Sequence, residues 1–400
     1  MRSPRYLSAA GIAASLLVLS ATVVVAQDGT THTVAQDGSG DHDTISAAIE
    51  AAAPGDSVLI APGEYVENLY IDKPVTLSGD GPREDIVLFH DDSKRQILDM
   101  DPVGMTVITI YVDNADVTIE HLSIMDEDDG YVSIVLMGGE STIRDIFAND
   151  FVGVRGDASA VIEDSYIERL GTWGPNHTIA TGLTVRDLLW ASEGSSGRFE
   201  GNTVHDFPIV IDSGANFEVI GNTIRPLDDE PGIVLVDPAT TATVSGNSVE
   251  GGWTGVLVEF AGETLIEGNT FSGGELGVVA VESPSTIRGN TISNISETGI
   301  GLIGDGMIVE GNIVTGGRIG VHVENPDDFP TDVPAIEEPP RIVDNTITEA
   351  THFGLVIEDS APDVSGNTIC AGRQAIRVTG NSDPQLGTNE ICEPEGEAGG

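Results

Sequence analysis

A short phrase, Gly-Asn-Thr followed by an aliphatic residue, returns through the second half of the chain and constrains its fold more than any other feature. It stands at Gly201-Asn202-Thr203-Val204, Gly221-Asn222-Thr223-Ile224, Gly246-Asn247-Ser248-Val249, Gly268-Asn269-Thr270-Phe271 and Gly289-Asn290-Thr291-Ile292. It continues at Gly311-Asn312-Ile313-Val314, Asp344-Asn345-Thr346-Ile347 and Gly366-Asn367-Thr368-Ile369, with Asn389-Glu390-Ile391 as a last echo. From Asn247 onward the gaps between Asn residues are 22, 21, 22, 33, 22 and 22. The gap of 33 holds a Pro-rich stretch, 325–340, and reads as one coil with an inserted loop. Upstream the phrase weakens, with Asp145 and Asp164 read in the Asn place.

Between these phrases lie β-branched runs such as Gly255-Val256-Leu257-Val258, Gly277-Val278-Val279-Ala280 and Gly320-Val321-His322-Val323. Short β-branched runs bounded by Gly and Asn are strands. No two-residue hairpin turn joins them, and no helix-length stretch separates them, so neither a hairpin stack nor a leucine-rich repeat fits. The period predicts an all-β chain, a single-stranded parallel β-helix whose coils stack about 4.8 Å apart. The repeated Asn (202, 222, 247, 269, 290, 312, 345, 367 and 389) is structural: a residue repeated nine times cannot mark one site, whereas stacked amides can pass hydrogen bonds from coil to coil.

The ends read differently. Arg2 and Arg5 precede an apolar stretch, 7–25, and Val24-Val25-Ala26 precedes Gln27, which is the pattern of a secretory signal over 1–26. In 27–57, Thr44 caps a short amphipathic helix with Ile45, Ala48, Ile49 and Ala52 on one face, stopped by Pro54-Gly55 and placed to plug the first coil. The coils occupy 58–392. Cys370 and Cys392 follow their Asn residues at the same offset one coil apart, which predicts a disulfide. The tail 393–400 is acidic and Gly-rich, and is expected to be disordered.

Charge narrows the partners. The chain has 65 Asp+Glu against 17 Lys+Arg, a formal net charge of -48, with Lys73 and Lys94 its only lysines. That balance excludes nucleic acid and an anionic membrane surface, so no membrane partner is expected after signal cleavage. A large acidic excess with Arg kept resembles proteins of salt-loving organisms, where screening shortens the reach of self-repulsion. The acidic residues Asp237, Glu259, Glu282, Glu324 and Glu358 close successive strands and read as a solvated corner, with calcium the cofactor such a row would suit. The run 126–130 reads as an acidic surface turn without the spacing of a calcium loop. No His pair has metal-ligand spacing, and no metal site is assigned.

Residues 33–40 (Thr-Val-Ala-Gln-Asp-Gly-Ser-Gly), Thr44-Ile45, 58–68 (Val-Leu-Ile-Ala-Pro-Gly-Glu-Tyr-Val-Glu-Asn) and 77–81 (Leu-Ser-Gly-Asp-Gly) resemble the N-terminal region of pectin methylesterases and the wider pectin-lyase-like superfamily. The resemblance implies a right-handed parallel β-helix, as the crossover rule also favours. The superfamily includes esterases, lyases, hydrolases, uronan epimerases, adhesins and copper-site maturation proteins. The esterase Asp-Phe and Arg-Pro-Trp motifs, the Gly-His-Gly and Arg-Ile-Lys of polygalacturonase-like hydrolases and the Trp-Ile-Asp-His of pectate lyases are missing here; Asp91-Asp92 and Asp228-Asp229 stand out of context. The resemblance therefore carries the scaffold and leaves the reaction open.

The leading expectation is a secreted or periplasmic protein that binds or processes an extracellular polysaccharide along its coil face, as a lyase, hydrolase or epimerase if it is an enzyme. A structural or adhesive surface protein is the alternative, and an accessory protein of periplasmic metal-site maturation the third. Residues 171–198 read as an irregular loop where the repeat is lost, and loops that break a rigid repeat carry sites. Arg155, His177, Arg186, His205 and Asp206 are the catalytic candidates there, with Trp173, Trp190 and Trp253 as exposed rings for stacking sugars.

Overall fold

A computed structural model describes residues 29–94, 97–100, 104–125, 131–325 and 338–392. The expected signal, the acidic turn at 126–130, most of the Pro-rich insertion and the acidic tail lie outside the described residues.

The chain is a right-handed parallel β-helix of about fifteen turns, preceded by one short helix. One coil shows the plan. Thr241–Ser245 lies in the first sheet, Ser248–Glu250 in the second and Thr254–Glu259 in the third. The next coil repeats it with Thr264–Glu267, Thr270–Ser272 and Leu276–Val281, each paired in parallel with its counterpart. Alternation within each strand sends Ala242, Val244, Val249, Val256 and Val258 into the core, which runs the length of the solenoid from Val34 to Ile369.

The turn from first to second sheet explains the recurring phrase. Its Gly lies in the left-handed region, with φ of 63° at Gly201, 62° at Gly221 and 64° at Gly246, where a side chain is disfavoured. The following Asn is buried and serves both neighbouring coils. Asn290 Nδ2 donates to Ile266 O and to Asn312 Oδ1, each at 2.9 Å, while its own Oδ1 accepts from the backbone N and Nδ2 of Asn269. The same pattern links Asn202 through Asn222, Asn247, Asn269, Asn290, Asn312, Asn345 and Asn367 to Asn389. Asn312 reaches Asn345 at 2.9 Å across 33 residues, so the insertion leaves the coil register intact.

Two expectations need correction. Asp145 and Asp164 stand in the Gly place of the turn, with φ of 46° and 48°; Ile146 and Ser165 occupy the Asn place. There Ser165 Oγ accepts from Ile146 N and donates to Glu163 O, two bonds where Asn290 makes four. Residues 171–198 are not an irregular loop. Tyr166–Trp173, His177–Thr181, Thr184–Val185, Leu189–Ser192 and Ser196–Glu200 keep parallel register with the coils on either side. The coil is merely shorter, with Leu183 bonded to Asn202 across 19 residues. Leu183 fills the Asn place there, so the phrase vanishes while the coil persists.

At the N-terminal end the helix Ile45–Ala51 buries Ile45, Ala48 and Ile49. Thr44 Oγ1 accepts from Ala47 N, and the buried carboxylate of Glu67 accepts from the backbone N of Ile45 and Ser46 at 2.9 Å, tying the helix to the coil beneath it. At the other end Cys370 and Cys392 form a disulfide with Cα atoms 4.8 Å apart. Matching positions on adjacent coils sit at the separation a disulfide spans.

The acidic corner is split by register. Glu259, Glu324 and Glu358 share an outward column with Val281 and Ile303, whereas Asp237 and Glu282 sit one residue on, at turns of φ 88° and 43°. Among the described residues no group of three or more His, Cys, Asp or Glu is arranged to hold a metal ion, and no helix is long and apolar enough to cross a membrane.

Candidate functional site

Outward side chains of a parallel solenoid form columns, one residue per coil, and it is these columns that distribute the candidates. Three faces result, and the eight candidates divide among them.

On the third sheet the register aligns Tyr70, Tyr111, Val135, Gly153, Gly171, Trp190, Val210, Val234, Leu257 and Val279. Alternation alone would make this column polar, since it faces outward. It is instead a lane of aromatic and aliphatic groups in a chain of net charge -48. Tyr70 and Tyr111 stack with ring centroids 5.9 Å apart. Tyr70 Oη donates to Asp113 Oδ2 at 2.6 Å, and this bond pushes its pKa up to about 12, so the phenol keeps its proton. Burial raises Tyr111 too, reinforced by the charge of Asp113.

At the centre of the lane the two glycines are required. A Cβ on Gly171 would lie 2.4 Å from the Trp173 ring and 2.5 Å from Phe151, and one on Gly153 only 3.1 Å from Phe151. The rings of Phe151 and Trp173 lie over this glycine floor, centroids 5.4 Å apart, in a small cluster with Ile108, Val132 and Val135 outside the main core. Trp190 stacks on Trp173 at 5.8 Å, and its indole N–H donates to Asp212 Oδ2 at 3.1 Å. The Arg155 guanidinium lies 4.8 Å from the Trp173 ring centre. Arg155, Trp173 and Trp190 are thus brought together, with one correction. Trp173 is 1% exposed and serves as the support of the stack; Trp190, half-buried, is the ring that faces outward.

The second sheet holds Arg186, His205 and Asp206. Arg186 pairs with Glu168 and Asp206, each at 3.7 Å, and His205 stands in register with Arg225. Behind them Arg169 bonds Asp150 at 2.5 Å and lies 3.8 Å from Asp187, whose pKa burial raises despite that cation. The first sheet holds His177, exposed, with Nδ1 3.2 Å from Ser196 Oγ. Trp253 is half-buried at the corner leading into the third sheet, beside the Leu257 rung. A single constellation of all eight candidates therefore does not form, because they occupy different faces of the prism.

Sequence reasoning missed Tyr70, Tyr111 and Asp113. Tyr70 and Tyr111 stand 41 residues apart in the chain, with a different coil length from the regular repeat, and neither falls inside the Gly-Asn phrase. The usable signal was the scarcity of aromatics, 5% of the chain.

Residues 231–391 match a family model described as the right handed beta helix region. No curated protein sequence matches the chain. Among solved structures, the A-module of a mannuronan C-5 epimerase from Azotobacter vinelandii is 18% identical, over 88% of this chain and 95% of that one, with a TM-score of 0.42. The catalytic unit of an α-1,3-glucanase from Streptomyces thermodiastaticus is 17% identical, over 90% and 69%, with a TM-score of 0.47. A mannuronic acid specific polysaccharide lyase from human gut microbiota is 14% identical, over 88% and 82%, with a TM-score of 0.43. Likeness at this level carries nothing about activity.

Proposed function

We propose that the chain binds an extracellular polysaccharide along the outer face of its third sheet. The observation that carries this reading is the lane itself, aromatic and aliphatic groups at coil spacing on the outer face of a strongly acidic solenoid, interrupted where Phe151 and Trp173 cover Gly153, Gly171 and the buried Val135. From Tyr70 to Val279 it runs roughly 40 Å, at about 4.8 Å per rung. Sugar rings offer an apolar face to aromatics and hydroxyls to their polar neighbours. Tyr70, Tyr111 and Trp190 supply the first contact, while Asp113, Asp212 and Arg155 line the lane with acceptors and a cation. The net charge of -48 favours a neutral polymer over a polyuronate. The disulfide fits an exported protein, because such bonds persist in oxidising compartments.

The test is binding of the chain to a panel of neutral and acidic polysaccharides, with and without calcium, by calorimetry. Neutral glycans are expected to bind, and Y70A and W190A to weaken binding at least tenfold while the fold is kept. Absence of binding across the panel, or binding that both variants leave unchanged, overturns the reading. New reducing ends or unsaturated uronide absorbance during the same incubation would mark turnover as well as binding.

A further inference from the structure

The turn between the first and second sheets uses Gly in most coils, yet two consecutive coils place His121 and Asp145 there, with φ of 57° and 46°. Asp145 has two partners. Its Oδ1 accepts from Arg83 Nη1 at 3.1 Å, and its Oδ2 lies 2.8 Å from His121 Nδ1. Arg83 also donates to Ile146 O at 2.9 Å, so the guanidinium fixes the carboxylate from the far side. An ionised carboxylate can only accept, so Nδ1 carries a proton and, in the neutral imidazole, Nε2 carries the lone pair. The His121 side chain is 41% exposed, and among the described residues no hydrogen bond engages Nε2.

Two residues beyond Asp145 on the same strand, Phe147 stacks face to face with Tyr166 of the next coil, centroids 4.7 Å apart and planes 10° from parallel. Both rings are half-buried and point outward on the second sheet. An oriented base thus stands beside an aromatic platform. The ion pairs around it limit the chemistry. Asp145 is held by Arg83 and His121, and Glu120 by Arg144 at 2.5 Å. These carboxylates are engaged as acceptors, which leaves neither to protonate a glycosidic oxygen, and both arginines are engaged too, which leaves neither to neutralise a uronate.

We infer that His121 is the general base of a catalytic centre on the second sheet, hydrolysing an acyl ester carried on a neutral saccharide that stacks on Phe147 and Tyr166. His121 Nε2 takes a proton from water as the water oxygen bonds to the acyl carbon. The bond from that carbon to the sugar oxygen then breaks, and the imidazolium returns the proton to the departing oxygen. One water is consumed, and a carboxylic acid and a free sugar hydroxyl result. Asp145 is a positioning residue that fixes the tautomer, and Arg83 positions Asp145. The acidic surroundings, Glu163, Asp164 and Glu168 on the adjacent coil, repel the anionic product. This centre lies on a different sheet from the glycan lane and stands independently of it.

The experiment incubates the whole protein with acetylated xylan and with a peracetylated monosaccharide, and follows acetate by NMR. Wild type is expected to release acetate from at least one of them. Asn tolerates the left-handed region, so H121N keeps the turn and removes the base; it is expected to lose at least about 100-fold in kcat. D145N is expected to lower kcat and move the pH profile, and F147A to raise KM more than it lowers kcat. H121Q repeats the test should H121N fold poorly, judged by circular dichroism. No acetate above the buffer rate, or release that both His121 variants preserve, overturns the assignment.

Discussion

Asn290 illustrates how a single residue type sets the stability of this molecule. Its amide satisfies a buried carbonyl on one coil and the next Asn on the other, and its carbonyl receives two N–H groups. Alanine there leaves the Ile266 carbonyl and the Asn269 backbone N–H without partners in a region closed to water. Each such orphan costs about 1–3 kcal/mol, so N290A is expected to destabilise by roughly 3 kcal/mol, measured by denaturant unfolding. Ser293, on the outer face of the strand that follows, provides the comparison: S293A is expected to stay within about 0.5 kcal/mol of wild type. The amide columns were legible in the sequence because burial of a polar group forces the same solution in each coil that carries the Asn. The turn residue beside them was misplaced by one at Asp145 and Asp164, since Asp tolerates the left-handed region almost as Asn does and the two letters look alike in a pattern.

Two parts of the solenoid answer to pH with opposite sign. At the N-terminal end, backbone N–H groups of Ala53 and Thr30 and the His32 ring hold the Asp56 carboxyl below its ordinary range, and Thr33 does the same for Asp41. A lowered folded value stabilises at pH above the ordinary carboxylate range and loses that contribution as pH falls through the folded value. Further along, burial raises Glu282, with Asp305 adding repulsion, and burial raises Asp305 as well. A raised folded value costs stability at neutral pH and returns it as pH falls through that value. D56N is therefore expected to lower the melting temperature at pH 7 and E282Q to raise it, with both differences shrinking towards pH 3; melting curves across pH 3–8 check this. The elements of 171–198 show where reading by phrase breaks down. A coil needs an inward aliphatic residue at each strand and a turn residue that reaches positive φ, and Ile167, Leu183, Val185 and Gly182 satisfy that without any Asn. Loss of the motif resembles loss of structure in the sequence, although only the optional hydrogen-bonding residue has changed.

For the molecule as a whole, 65 acidic residues against 17 basic ones set a long-range repulsion that the covalent and hydrogen-bonded columns must withstand. Raising salt from about 0.1 M to 1 M shortens the Debye length from about 10 Å to about 3 Å, so the melting temperature is expected to climb across that range of sodium chloride, as calorimetry would show. A fall instead would mean that the ion pairs on the outer faces, such as Arg198 with Glu218 and Arg288 with Glu267, outweigh the repulsion. Sequence alone determined the period, the inward aliphatic rows, the Asn columns, the N-terminal helix and the disulfide, because each of these is enforced by burial or covalent geometry and so repeats or keeps a fixed spacing. Only the tertiary structure decided which outward residues become neighbours. Tyr70 meets Tyr111, Arg155 and Trp190 meet Trp173, and Arg83 meets His121 across Asp145, each partner one or more coils away in the chain. Most outward positions face water, so packing imposes no repeating pattern on them. Coil lengths that vary from 18 to 42 residues then hide which of them share a column until the chain is wound.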